Sequence, residues 1–593
     1  MKRIGTMLMA GLLLLGLAQC KKEITENLEE LDPNEGVYIT VNVNGGSKGL
    51  RADVDPNAPE GYATVSFEEG DKLYLFNKGS YRGYLTYDGE KFSSRKKLYA
   101  GSGDYLHFYF VGSFDTEPVL KEAVKPNLDS NHTFTVNIAD QTDRYPVIAY
   151  GHSTNMYTEE TSSYDATLDI YCSIMKIPIE GASIADTVTL HNMKNVVSCN
   201  MDANWDKTTS TPITANPFTF PETSYGEIKL HAESPTERWA IVLPQRAVLA
   251  QLSCDGFQNA IVSVPEITAD RYYDDDVSGV TLTPGTPSDS RFSVAPNTQV
   301  CFSPGNLQAV FAEANNQSCT WQFAEHQYDY VGDAVANTAV GIKRNATQNI
   351  VSTPGTVDLF GWVGQSAEYA TAYGICNIFF NTYYGGDDEP LKSDWGVPAN
   401  AASLGGHNTW YTPSMAELVY LVNTRATNTT INGVENARYT AATINTDGTP
   451  VKGIILFPDD YAGPTSNAEA NPMGITFGRI NKESKGECSS WGTQCTISGW
   501  KSLEFAGCVF LPAAGERRID NPEIGQYELH SLYTICLDSE VLYASDFGLY
   551  WSSTSMEQTL SRCLEFNGGG CYPPETFNTR GTGGSVRLVR PAD

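Results

Sequence analysis

Residues 37–44, VYITVNVN, alternate without a break. Val37, Ile39, Val41 and Val43 fall on one side, and Tyr38, Thr40, Asn42 and Asn44 on the other. Successive side chains of extended backbone point to opposite faces, so this pattern predicts a strand with one face in a core and one in water. The strand ends at Gly45-Gly46, and the loop SKGLRADVDPNAPEG follows. Next, VSFEEGDKLYLFN reads as a strand, an acidic turn and a second strand, and YRGYLTYDGEKFS as a hairpin turning at Asp88-Gly89. Short strands continue to residue 160. A second set occupies 161–285, where IMKIPIEG, DTVTLHNM, WAIVLPQ and AIVSVPEI are separated by turn residues. Strands at this spacing predict two tandem β-sandwiches, over 37–160 and 161–285.

SGVTLTPGTPSDS (278–290) has the Ser, Thr, Pro and Gly content of a linker. Beyond it the texture changes to short strands, long polar loops and one clear helix in TPSMAELVYLVNTRA. Thr412 is placed to cap that helix with Pro413 at its first position, and Ser414 and Glu417 have the spacing of a capping box. Met415, Leu418, Leu421 and Val422 form its apolar stripe. The chain is therefore expected to be mainly β, with an α+β domain over 286–593.

The chain has 593 residues, more than one hydrophobic core supports, and at 41% hydrophobic residues it is rich enough to fold. With 70 acidic against 40 basic residues its net charge is −30, which repels nucleic acid and anionic lipid surfaces, so nucleic acid is excluded as a partner. Most of the 13 cysteines sit singly in strand-like runs, such as Cys172 and Cys199, and read as buried free thiols. Cys488 and Cys495 in ECSSWGTQC are close enough to bridge or to remain free.

The N-terminal stretch, Met1 to Cys20, is MKRIGTMLMAGLLLLGLAQC. Lys2 and Arg3 precede an apolar run too short for a membrane span, the pattern of a secretory signal. Leu17-Ala18-Gln19-Cys20 resembles a bacterial lipobox, in which the cysteine is lipidated and becomes the mature N-terminus; Gln19 departs from the small residue usual there. The resemblance implies a lipoprotein held at the outer membrane through Cys20, with 21–36 as a flexible tether. An ordinary secretory signal with an incidental cysteine is the other reading.

Residues 20–285 resemble the fimbrillin-like family of Bacteroidota, the type V pilins and their accessory subunits. The resemblance is carried by the lipobox and tether, VYITVNV with the loop Leu50-Arg51-Ala52, the FEEGDKLYLF turn, AIVLPQ, and ITADRYYDDDVSGVTL. It implies transthyretin-like β-sandwich pilin domains and partnership with other fimbrial subunits. It also implies cleavage after Arg51 by an arginine-directed protease, loss of strand 37–44, and a groove that accepts a strand from the next subunit. A solvated loop arginine is the plain alternative for Arg51.

Residues 291–593 resemble the Fibrobacter major paralogous domain, a relative of the C-type lectin-like fold. FSVAPNTQVCFSPGNLQ, WQFAEHQYDYVGD, DLFGWVG, WYTPSMAELVYLVNTR, GIILFPDDY, FLPAAGERR, GLYWSST and GGSVRLVR carry it, in the family's order. The resemblance implies paired terminal strands and a ligand face on late strands and loops, here within 551–580. Trp551, Tyr572, Phe577 and Arg580 are the candidate binding residues, of types enriched at recognition hot spots. Trp551 also fits a core position, whereas Tyr572 lies beside Pro573 and Pro574. The calcium-dependent sugar triplets EPN, QPD and WND do not occur. Asp459 and Asp460, and Asp387, Asp388 and Glu389, are acidic enough for a hard cation, but adjacent carboxylates in a loop are more often just solvated, so no metal is assigned.

No nucleophile elbow, HExxH, Walker loop or dinucleotide fingerprint occurs. His326, beside Glu325, and His407 stand apart from other histidines. Cys563 and Cys571 invite comparison with the copper-binding cysteines of the formylglycine-generating relatives, but RCLEFNGGGC does not reproduce that motif. The expectation is therefore not an enzyme and no cofactor. It is a surface adhesin, a fimbrial accessory or tip subunit that assembles by strand exchange and binds a host, bacterial or glycan ligand. The alternative is a static outer-membrane lipoprotein that binds glycan or protein without polymerising.

Overall fold

A computed structural model describes residues 38–43, 47–49, 65–111, 133–142, 147–200, 217–362, 394–446, 450–481, 491–519, 533–535, 539–542 and 546–592, with short breaks inside the longer stretches. The fold is mainly β, as the alternation predicts.

The opening stretch forms the strand Thr40–Val43, and its two faces divide as expected. Ile39 and Val41 are fully buried and Val43 packs against the core, while Tyr38 and Asn42 face solvent. This strand occupies a decisive place, because it closes a barrel. The order runs Thr40–Val43, Ser163–Ile170, Ala149–Met156, Tyr105–Phe110, Lys72–Asn77, Ser80–Tyr87, Phe92–Ser93 and back to the first. On one side Thr40 to Val43 lie parallel to Ser163 to Ala166. On the other the antiparallel register covers only Thr40 with Ser93 and Val41 with Phe92. The expected hairpin is present: Tyr87 pairs with Phe92, and the Asp88 carboxylate accepts from the backbone N–H groups of Glu90 and Lys91 at 3.0 and 2.9 Å. Gly151 is required where the strands approach most closely, since a Cβ there would sit 1.9 Å from the Thr167 carbonyl oxygen.

Central strands of the barrel are buried on both sides. Leu73 and Leu75 alternate with Tyr74 and Phe76, and all four are at most 3% exposed. His107 sits among them, its Nδ1 2.8 Å from the Tyr150 hydroxyl, while its Nε2 has no partner among the described residues. Burial, aided by His152, lowers its pKa from 6.5 to about 4. The folded state therefore binds fewer protons than the unfolded chain between those values, so its stability is full above pH 6.5 and is lost as pH falls toward 4. The expected loss across the window is about 3 kcal/mol. Urea titrations of the wild type and His107→Gln at stepped pH check this; an equally steep pH dependence in the variant would refute it.

The second β set forms two sheets. One runs Tyr225–Lys229, Val188–Lys194, Val248–Cys254, Ala260–Val264, and the other His231–Ser234, Glu237–Val242, Ser173–Glu180, Tyr272–Tyr273. The two sets are laced together. Thr133–Asn137 pairs antiparallel with Val196–Asn200, and one apolar core extends from Ile39 to Leu282. Within the segment read as a linker, Val280–Thr281 lies parallel to Ile179 and Glu180.

In the third region Thr298–Phe302 pairs with both Phe292–Ala295 and Val589–Pro591, so its second strand lies between its first and its last. A five-stranded sheet orders Ile475–Thr476, Thr493–Thr496, Tyr439–Asn445, Val451–Leu456 and Val509–Pro512. The expected helix is Met415–Val419, continued as one wider turn over Tyr420–Thr424, and its apolar stripe is buried. Ser414, not Thr412, is its cap: Ser414 and Glu417 form the reciprocal box, while the Thr412 hydroxyl accepts from the Trp395 N–H at 3.0 Å. Arg425, just beyond the helix, is fully buried and donates to the Leu421, Phe457 and Arg438 carbonyls and to Asp459 Oδ1 at 2.9 Å. Burial lowers its pKa to about 10, against the pull of Asp459.

A helix spanning Ile497–Phe505 joins the third region to the second. The Ser502 hydroxyl accepts from the Leu249 N–H at 3.0 Å and donates to Ser498. Asn192, with φ of 70°, donates to the Leu249 carbonyl at 2.9 Å and to the Ser502 hydroxyl at 3.2 Å. Ala247 and Leu249 of the second region belong to the same apolar cluster as Trp500 and Leu503.

Candidate binding surfaces

Cys20 and Arg51, as well as Asp387, Asp388 and Glu389, lie outside the described residues. The strand that cleavage after Arg51 would remove is described. Besides its ladder it is held where the Ile39 N–H donates to the Ser94 hydroxyl and the Ile39 carbonyl accepts from the Ser94 N–H, both at 2.9 Å. Its removal would uncover the apolar slot filled by Ile39 and Val41 and leave backbone donors and acceptors of Ser163–Ile170 unpaired.

The 551–580 segment divides between core and surface. Trp551 is 1% exposed, packs with Phe360, Trp362, Leu549 and Cys563, and donates its indole N–H to the Phe360 carbonyl at 2.6 Å. It is a core residue. Tyr572 is half-buried, its hydroxyl donating to Asn567 at 2.9 Å. Phe577, 44% exposed, opens the strand Phe577–Thr579, which pairs with Leu560–Asn567. Arg580 is outside the described residues. Of the candidates in this segment, Tyr572 is oriented by a hydrogen bond and Phe577 is open to solvent.

Asp459 does not stand free for a cation. One oxygen accepts from Arg425, and the other from the Ser293 N–H and hydroxyl and from Gln299. Among the described residues no three His, Cys, Asp or Glu side chains gather in a metal-binding arrangement. Among the described cysteines, Cys172, Cys495, Cys508 and Cys563 are buried free thiols, and desolvation raises the pKa of each, opposing reactivity. His326 lies at the surface, with Asp329 Oδ2 3.3 Å from its Nδ1. No helix among the described residues is long and apolar enough to cross a membrane.

A cleft of about 270 Å³ in the third region has no counterpart in the sequence expectations. Asp289, Ser290, Phe302, Gln327, His407 and Glu504 are among the residues that line it. They come from widely separated parts of the chain, so no local motif announces them; His407 alone stood out, as an isolated histidine.

No family model matches this chain, and no curated protein does. Among solved structures, the tip fimbrial protein Mfa3 from Porphyromonas gingivalis, with a C-terminal truncation, aligns at 10% identity over 41% of this chain and 97% of its own, with a TM-score of 0.22. A fimbrial assembly protein from Parabacteroides distasonis aligns at 9% identity over 40% of this chain and 89% of its own, with a TM-score of 0.24. Likenesses at these scores carry no weight for function, which rests on the chain's own geometry.

Proposed function

We propose that this chain is a cell-surface fimbrial adhesin, an accessory or tip subunit delivered as a lipoprotein through Cys20. Cleavage after Arg51 releases the strand Thr40–Val43, and a strand from another subunit takes its place. The observation that supports this most is the closing position of that strand, paired parallel on one side and by only two residues on the other. A vacated slot with an apolar floor and unpaired backbone on each side is suited to β-augmentation. The strand Val589–Pro591 is already paired inside the third region. A lectin-like third region placed after the pilin part therefore suits a subunit at an end of a fibre, which accepts a strand without donating one. The ligand residues we propose are Tyr572, Phe577 and Arg580, which take a host, bacterial or glycan ligand.

Mass spectrometry of the mature N-terminus tests the proposal. A start at Ala52 is expected in wild type, and Arg51→Ala is expected to abolish processing and fibre incorporation. An acylated Cys20 on the mature wild-type chain, with Thr40–Val43 retained, overturns strand exchange and leaves a static lipoprotein.

A further inference from the structure

On one sheet of the second β set, three polar side chains meet across neighbouring strands. His191, in Val188–Lys194, lies directly opposite Glu227 in Tyr225–Lys229. On its other side Ser253, in Val248–Cys254, pairs with Thr189, two residues before His191. Positions i and i+2 share a face of a strand, so Ser253 reaches His191 diagonally. The Ser253 hydroxyl is 2.7 Å from His191 Nε2, and Glu227 Oε2 is 3.8 Å from His191 Nδ1. Asn192, left-handed at φ 70°, makes a bulge directly after His191, the kind of irregularity that re-aims a side chain. The set is open to small molecules. The side chains of His191 and Glu227 are 28% and 55% exposed, and Ser253 is half-buried. Phe505, at the end of the Ile497–Phe505 helix, stands edge-on to the imidazole at 6.3 Å.

These contacts place the protons. Nδ1 faces a carboxylate, which only accepts, so the neutral ring carries its proton there. Nε2 is then an acceptor, and the Ser253 hydroxyl donates to it. Burial lowers the pKa of His191 below 6.5; Glu227 pulls it up and Lys501 pushes it down. The ring is neutral at pH 7 and able to take a proton. A hydroxyl bonded to a neutral imidazole, with a carboxylate behind the imidazole, is the arrangement of an activated nucleophile. The contact to Glu227 is longer than a hydrogen bond, and such contacts tighten only when the reaction complex forms. The sheet also bounds the chemistry. Val188–Lys194 and Val248–Cys254 each have a strand on both sides, so their backbone N–H groups are spent in ladders rather than turned toward an oxyanion. A donor with a good leaving group, which needs the least such help, is therefore the substrate that fits.

We propose that Ser253 is an acylation site, its hydroxyl attacking small activated esters with His191 as base and Glu227 as a positioning residue. Ser253 Oγ bonds to the ester carbonyl carbon while its proton passes to His191 Nε2. The tetrahedral intermediate then collapses, the bond from carbon to the leaving oxygen breaks, and the proton on His191 passes to that oxygen. The chain is left acylated at Ser253. This site is independent of strand exchange and of Tyr572 and Phe577.

The test incubates the full chain with p-nitrophenyl acetate at stepped pH and locates acetyl groups by peptide mass spectrometry. Acetylation of Ser253 is expected, with Ser263, exposed on the neighbouring strand Ala260–Val264, left unmodified. The rate should rise with pH to a plateau, with a midpoint below 6.5, as a neutral imidazole base requires. His191→Gln is expected to slow the reaction about a hundredfold. Glu227→Gln, at an exposed position, is expected to move the midpoint to lower pH, because Glu227 raises the pKa of His191; a merely structural glutamate would leave it in place. No acetyl group on Ser253, equal modification of Ser263, or an unchanged rate in His191→Gln overturns the assignment. If His191→Gln fails to fold, the wild-type comparison of Ser253 with Ser263 and the position of the midpoint decide alone.

Discussion

Replacing Arg425 by methionine is expected to destabilise the third region by about 3–5 kcal/mol, the cost of removing one partner of a buried ion pair. The guanidinium is wholly enclosed, and Asp459 is 9% exposed. Together they tie the end of the Met415–Val419 helix to the Phe457 and Arg438 carbonyls and to the Phe292–Ala295 hairpin through Ser293. Without Arg425 the carboxylate keeps Ser293 and Gln299 but loses its counter-charge, and the carbonyls lose their donors. Exchanging both partners, Arg425→Met with Asp459→Leu, removes the stranded charge, so the double variant is expected to be more stable than the sum of the single losses implies. Urea unfolding of the four proteins measures this; a loss below about 1 kcal/mol in Arg425→Met would show that the pair contributes little.

The double substitution Ile39→Ala with Val41→Ala is expected to cost about 3–6 kcal/mol, summing two large-to-small changes at fully buried positions. The effect should be local first. The seam to Phe92–Ser93 is the short one, so amide exchange should accelerate at Thr40–Val43 and Phe92–Ser93 before Lys72–Asn77. The same variant separates the strand's two roles. If a donated strand replaces it in the fibre, a chain already cut after Arg51 assembles normally despite the substitutions, because the altered residues have left. Uniform exchange across all the barrel strands would show that the first strand is not an independently opening unit.

The class of fold, the first strand, the Asp88-Gly89 hairpin and the Ser414–Glu417 box were legible in the sequence. Each rests on interactions within a few residues: side-chain alternation, the φ preference of a turn, a side chain reaching the backbone three positions away. The shift of the cap from Thr412 to Ser414 shows the limit of that reading. Both residues carry a suitable hydroxyl, and the choice between them was made by a distant partner, the Trp395 N–H that Thr412 accepts from.

What tertiary structure alone decided are the pairings between parts far apart in the chain. The alternation of 37–44 shows which side of the strand is buried, but not that its neighbours are Ser163–Ile170 and Phe92–Ser93, so closure of the barrel is invisible locally. Trp551, equally suited to a ligand face or a core, is committed to the core by the Phe360 carbonyl, 191 positions away. Asp459 and Asp460 look alike in FPDDY, yet Asp459 is bound by Arg425 because the helix end and the hairpin converge there. The cleft beside Gln327 and Glu504 is assembled from segments that only folding brings together. Sequence by itself determined the first strand, the Asp88-Gly89 turn and the Ser414–Glu417 box, because those depend on backbone geometry and near neighbours. Which strand closes the barrel, whether Trp551 belongs to the core and which segments meet around a cleft depend on long-range packing, and these the tertiary structure decided.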